Sequence, residues 1–310
     1  MSLAAVNQPN AQKYIIDIPE GGPWTRDTSF EHTFQHAIAE PANDKWAYRF
    51  LSPALRPYVA TIYSFARYTH DFGAEPRYEG VREEALDAWE QALHDCLHGK
   101  ATHPCFIALA ETVEKFSLPI TPFHDYIIGA RMNASVRRYS SFNQLLGYCE
   151  KAANSLGRIV LQIAGSTEPD DIRAMDDCST AMMLNNFWAH CARDFNRGRI
   201  YIPEEDLRRF GVTESDLKQR RVTPELRALM DYQVARTRLY LKRGRPLFNR
   251  LPRALQAEMQ IVWLVVTVAC DNIESDNFDV FKRGHDLRTQ DWARAAARLA
   301  MWRLKDFTQW

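Results

Sequence analysis

The chain has 310 residues, 46% of them hydrophobic and 25% charged, enough to bury one large core; a single all-helical domain is the simplest organisation. Lysine plus arginine balances aspartate plus glutamate at 39 each, so nothing in the bulk charge directs the chain to nucleic acid or an acidic membrane surface, and any anion site is local. Six scattered cysteines (Cys96, Cys105, Cys149, Cys178, Cys191, Cys270), without a C-x-x-C pair or zinc-ligand spacing, read as reduced, buried thiols of a cytoplasmic protein.

Residues 1–50 carry Gly21-Gly22-Pro23 and Pro41 without a sustained period, and are predicted to form an irregular N-terminal arm over a helical domain of residues 51–310. Met1 to Asn10 shows no basic stretch followed by an apolar run, so no secretory leader is predicted. From Leu55, Val59, Ile62, Tyr63 and Ala66 recur at three and four, a helix that Gly73 and Pro76 close. Helices are predicted over Val81–Leu97, Pro104–Phe116 and from Pro122 towards Met132. One long helix is predicted from Phe142 to Ala164, with small residues at Ala152, Ala153, Ser155 and Gly157 admitting a close neighbour, and another from Asp170 to Asp194. Thr223–Arg243, Leu251–Asn272 and Thr289–Lys305 complete the set. The most apolar run, Ile261–Ala269, is far shorter than the roughly 20 residues a bilayer span needs.

Two stretches carry the chemistry. Along Tyr63–Glu75, Arg67, Asp71 and Glu75 share one helix stripe, with Tyr63, His70 and Ala74 beside it. An Arg67–Asp71 ion pair on a solvated face explains that stripe as well as a binding site does. Along Asn185–Pro203, His190 and Asp194 stand one turn apart, with Asn186 a turn before and Phe187 and Trp188 adjacent. A satisfied core histidine is the plainer reading of His190. Arg197 and Arg199 flank Gly198, where planar guanidinium forks reach a diphosphate or cap a helix end equally well.

Taken in order, these stretches resemble the squalene and phytoene synthase family. NNFWAHCARDFNRGRIYIPEEDLRRF (185–210) is similar to its second signature, YSFARYTHDFGAE (63–75) to its first, YSSFNQLLGYCEKAANSLGRIVLQIAG (139–165) to its central segment and NFDVFKR (277–283) to its C-terminal junction. The flavour resembles bacterial hydroxysqualene synthases of the hopanoid pathway. The resemblance implies an all-α isoprenoid synthase bundle with a central cavity, in which aspartates on two facing helices hold magnesium and the magnesium grips a prenyl diphosphate. It implies Tyr63, His70, Asn133, His190 and Asp194 at the reacting end, Arg67, Arg197, Arg199 and Tyr201 on the diphosphate, and Phe65, Asn186, Phe187 and Trp188 in the cavity wall. A lipid substrate of this kind would bring the protein to the inner membrane surface.

The sequence departs from the family where the family puts carboxylates: His70, Ala74, Asn133 and His190 stand at four such positions, and Asp194 alone remains. Asp71 and Glu75 repeat the spacing one residue on, a rotation of about 100° that turns them beside the site. Oxygen ligands suit magnesium and imidazole does not. Three readings stay open: an enzyme ionising a prenyl diphosphate with few or no metals; a catalytically silent prenyl-binding or assembly protein; and a softer metal held by His70, His190 and Asp194.

Overall fold

Prolines and capping hydroxyls set most of the described helix starts. The computed structural model describes residues 16, 18–39, 51–281 and 287–307, with backbone alone at 254 and 304–307, and among them no strand occurs. The first ten residues and Pro41 lie outside the described residues. None of the described helices is long and apolar enough to cross a membrane.

The arm is not irregular throughout, as its sequence predicts. Arg26–Ile38 forms helix α1, opened by a capping box in which the Thr25 side chain accepts from the Thr28 amide and Thr28 reciprocates. Its buried face is Ser29, Thr33 and Ala37, one per turn. These are small or polar, so no apolar period betrays the helix. Thr33 instead bonds Thr61 (3.2 Å) on helix α2, Arg56–Ala74.

Helices α3 (Arg82–Leu97), α4 (Pro104–Phe116) and α5 (Thr121–Ser135) follow. Phe65 of α2 sits in an aromatic core with Trp89, Phe106 and Phe123, all fully buried, each contributing about 1.5–3 kcal/mol by leaving water. The predicted helix from Phe142 to Ala164 is instead α6 (Phe142–Cys149), a π-helical turn (Glu150–Asn154) and α7 (Ser155–Ile163). The π turn lies against α5 so closely that a Cβ on Gly129 would come within 2.8 Å of the Ala152 Cα. Such turns insert one residue into the α pattern, which periodicity alone does not reveal.

Helix α8 (Pro169–Ala189) ends sooner than predicted: His190 leaves the helical region (φ −113°, ψ 17°) and Cys191–Asn196 restarts as α9. Short helices α10 (Glu204–Phe210) and α11 (Glu214–Lys218) lead to the long α12 (Pro224–Gly244), α13 (Arg253–Ser275) and α14 (Thr289–Phe307). A second core gathers Leu184, Trp188, Leu226, Leu229 and Ile273 where α8, α12 and α13 meet. Gly157 of α7 permits the close approach to α8, since a Cβ there would lie 2.3 Å from Ser179 Oγ and 3.0 Å from Met175.

Candidate functional site

Between α2, the π turn with α7, α8 and α13 lies a cavity of about 420 Å³. Met175, Ser179, Met182 and Asn186 of α8, with His190 at its C-cap, follow at three- and four-residue intervals, Met183 beside Met182, and therefore share one wall, roughly 22 Å long at 1.5 Å per residue. Val160 of α7 and Met259, Val262 and Val266 of α13 supply apolar wall, with Trp292 beside them. Met182, 38% exposed, and the exposed Asn186 put the opening on α8. The polar side chains are Tyr63, Ser179, Asn185, Asn186 and His190; among the described residues no aspartate, glutamate, lysine or arginine lines it.

Tyr63, Asn186 and His190 are thus brought together on the cavity wall. Phe65, Phe187 and Trp188, predicted as wall residues, are not on it. Phe65 is spent in the aromatic core. Residues 187 and 188 lie about 100° and 200° round the helix from 186. Phe187 stacks on Tyr201 (centroids 4.1 Å, planes 9° apart), and Trp188 Nε1 donates to Thr237 Oγ1 at 2.9 Å.

The basic residues face elsewhere. Arg67 donates to the His36 carbonyl at 2.8 Å, towards α1. Arg199 is buried and donates to the Asn133 carbonyl at 3.1 Å, while its Nε has no hydrogen-bond partner. The Tyr201 hydroxyl donates to Asn133 Oδ1 at 2.8 Å, and burial pushes its pKa up to about 12. Arg197 is exposed. Asp194 is buried beside Arg193 Nε (3.3 Å), and desolvation raises its carboxyl above the usual range despite the pull of Arg193, Arg197 and Arg199. His190 and Asp194 stay one turn apart, the Asp194 amide donating to the His190 carbonyl at 2.9 Å, yet they face different spaces: His190 lines the large cavity, whereas Asp194 and Arg199 line a separate small void with Phe187 and Tyr201.

The predicted metal ligands do not converge. The His70 side chain is 57% exposed and lies 3.7 Å from Asp71, which also meets Arg77 at 3.4 Å. Glu75 caps the end of α2 in extended geometry, and Ala74 is buried. Among the described residues no three histidine, cysteine, aspartate or glutamate side chains form a group able to hold a metal. Magnesium demands near-octahedral oxygen ligation, and this donor set does not fit it; nor does it supply the softer-metal site of His70, His190 and Asp194.

Sequence reasoning missed Ser179, Asn185, the four methionines, Val262 and Trp292 as wall residues. For α8 the signal is present: Met175, Ser179, Met182 and Asn186 continue the His190 stripe backwards at helical spacing.

Residues 43–295 match the family described as squalene/phytoene synthase. A phytoene synthase of Arthrospira platensis is 31% identical over 275 residues, 84% of this chain and 89% of its own. A crystal structure of the squalene synthase HpnC from Alicyclobacillus acidocaldarius is 30% identical with a TM-score of 0.78, covering 82% of this chain and 95% of that one. A ligand-bound dehydrosqualene synthase shares the fold at 20% identity, with a TM-score of 0.79 over 91% of this chain and 98% of its own.

Proposed function

The chain belongs to the squalene/phytoene synthase family of prenyl-transfer enzymes, and from that premise we propose that it binds an isoprenoid chain in the α2–α7–α8–α13 cavity without magnesium-assisted ionisation of a diphosphate. The observation that carries this reading is the wall itself, apolar along its length with neutral polar groups at Tyr63, Asn185, Asn186 and His190. Each methylene buried there is worth about 0.8 kcal/mol, which favours a long hydrocarbon. A diphosphate leaves only when its growing charge is neutralised, and the carboxylates that would position a metal for that are replaced or turned away. Taking such a ligand from a bilayer would bring the protein to the inner membrane surface.

Titration with farnesol and with farnesyl diphosphate tests the reading. Saturable binding of either, lost in Val262→Trp, is expected. No saturable binding of both sinks it.

A second reading, conversion of presqualene diphosphate to hydroxysqualene or a related prenyl transfer, is favoured by the 30% identity to the squalene synthase HpnC structure across 95% of that chain. It requires Arg67 or Arg199 to leave its carbonyl partner and reach the substrate. Release of diphosphate on incubation with presqualene diphosphate would select it.

A further inference from the structure

We infer that the ligand of this cavity is an isoprenoid with an uncharged head, an alcohol or hydrocarbon rather than a diphosphate, held as a single chain. The inference rests on the isoprenoid-binding reading above and names the class of ligand within it.

Three observations carry it. First, none of the described side chains lining the cavity has a fixed charge: the polar ones are a phenol, a hydroxyl, two carboxamides and an imidazole. These groups donate and accept hydrogen bonds, as a hydroxyl head requires, and supply no permanent countercharge. A diphosphate entering this chamber would shed its hydration with no cation among the described lining side chains to replace it, which is costly for a polyanion.

Second, two of the three arginines predicted on the diphosphate are engaged elsewhere by geometry. Arg67 reaches the His36 carbonyl on α1, and Arg199 the Asn133 carbonyl at the end of α5. Arg199 is only 6% exposed and lines a separate small void with Phe187 and Tyr201 rather than the cavity.

Third, the polar groups are placed asymmetrically. Asn185, Asn186 and His190 cluster at the C-terminal part of the α8 wall, while Met175 and a single hydroxyl, Ser179, stand towards its N-terminal part. One head group at one end and one tail along the rest matches that order. At about 420 Å³ the chamber lies in the lower part of the roughly 300–1,000 Å³ range of single small-ligand sites, too little for two chains side by side.

The test compares farnesol with farnesyl diphosphate by isothermal titration of the full chain, each with and without magnesium. Farnesol is expected to bind at least about tenfold more tightly, with magnesium leaving both affinities unchanged; one ligand equivalent should saturate, and Asn186→Leu with His190→Leu should weaken farnesol while sparing squalene. Tighter binding of the diphosphate, or its magnesium-dependent strengthening, overturns the inference yet leaves isoprenoid binding intact. Absence of binding by every probe overturns the isoprenoid reading itself.

Discussion

The Tyr201 hydroxyl donates a 2.8 Å hydrogen bond to Asn133 Oδ1, closing the end of α5 onto the Gly-Arg-Ile-Tyr segment. Where the family resemblance calls for a carboxylate facing a metal, the structure has a neutral amide facing a phenol. Tyr201 also hydrogen-bonds Tyr148 and stacks on Phe187, so this corner is a packed polar–aromatic joint. Asn133→Ala should therefore act on stability. It removes an acceptor from a buried hydroxyl, and the expected cost is about 1–3 kcal/mol, read as a lower urea midpoint. An unchanged midpoint would mean the joint contributes nothing.

Gly157, on the cavity wall, lets α7 approach α8 closely. Gly157→Ala would place a methyl 2.3 Å from Ser179 Oγ, and the expected loss is about 1–3 kcal/mol together with weaker isoprenoid binding. Gly157→Ala combined with Ser179→Gly should recover part of both. Failure of that pair to recover would place the clash elsewhere.

Glu258 is 1% exposed, its Oε2 has no hydrogen-bond partner, and burial pushes its carboxyl up to about 8. An acid raised in the folded state gives its full stability below the unfolded value of 4.5 and loses it as pH rises to about 8. At pH 7 the cost is on the order of 3 kcal/mol. Glu258→Gln should raise the thermal midpoint at pH 7–8 (~1 kcal/mol or more) and change it little near pH 4. Equal effects at both pH values would contradict this assignment.

His36 of α1 and His103, which caps the start of α4, predict the opposite limb. His36 stacks on Tyr68 at 4.0 Å and shares a 2.9 Å hydrogen bond with Ser64; burial, helped by Arg67 and His32 and opposed by Asp71, holds it at about 4. Burial holds His103 at about 3. Both fold as neutral bases, so their contribution is complete above 6.5 and is lost as pH falls through 4. Denaturation at stepped pH should show α1 destabilised below pH 6, with His36→Gln flattening that limb; a limb unaltered by His36→Gln would assign it elsewhere.

Much of the architecture was legible in the sequence because apolar spacing and proline starts mark long amphipathic helices; α4 begins and ends at the predicted residues. Helix α1 was not, since Ser29, Thr33 and Ala37 form its buried face, and the π turn was not, since it adds a residue within an otherwise continuous pattern. At the site, Tyr63, Asn186 and His190 could be placed from one stripe per helix. Phe187, Trp188, Arg67 and Arg199 could not, because their directions are set by partners distant in sequence: Tyr201, Thr237, His36 and Asn133.

Diphosphate release from farnesyl and presqualene diphosphate by the pure protein, with and without magnesium, tests the dismantled metal cage most directly. No release above the protein-free rate is predicted in either condition. Catalytic release that requires magnesium and is abolished by a chelator would contradict it.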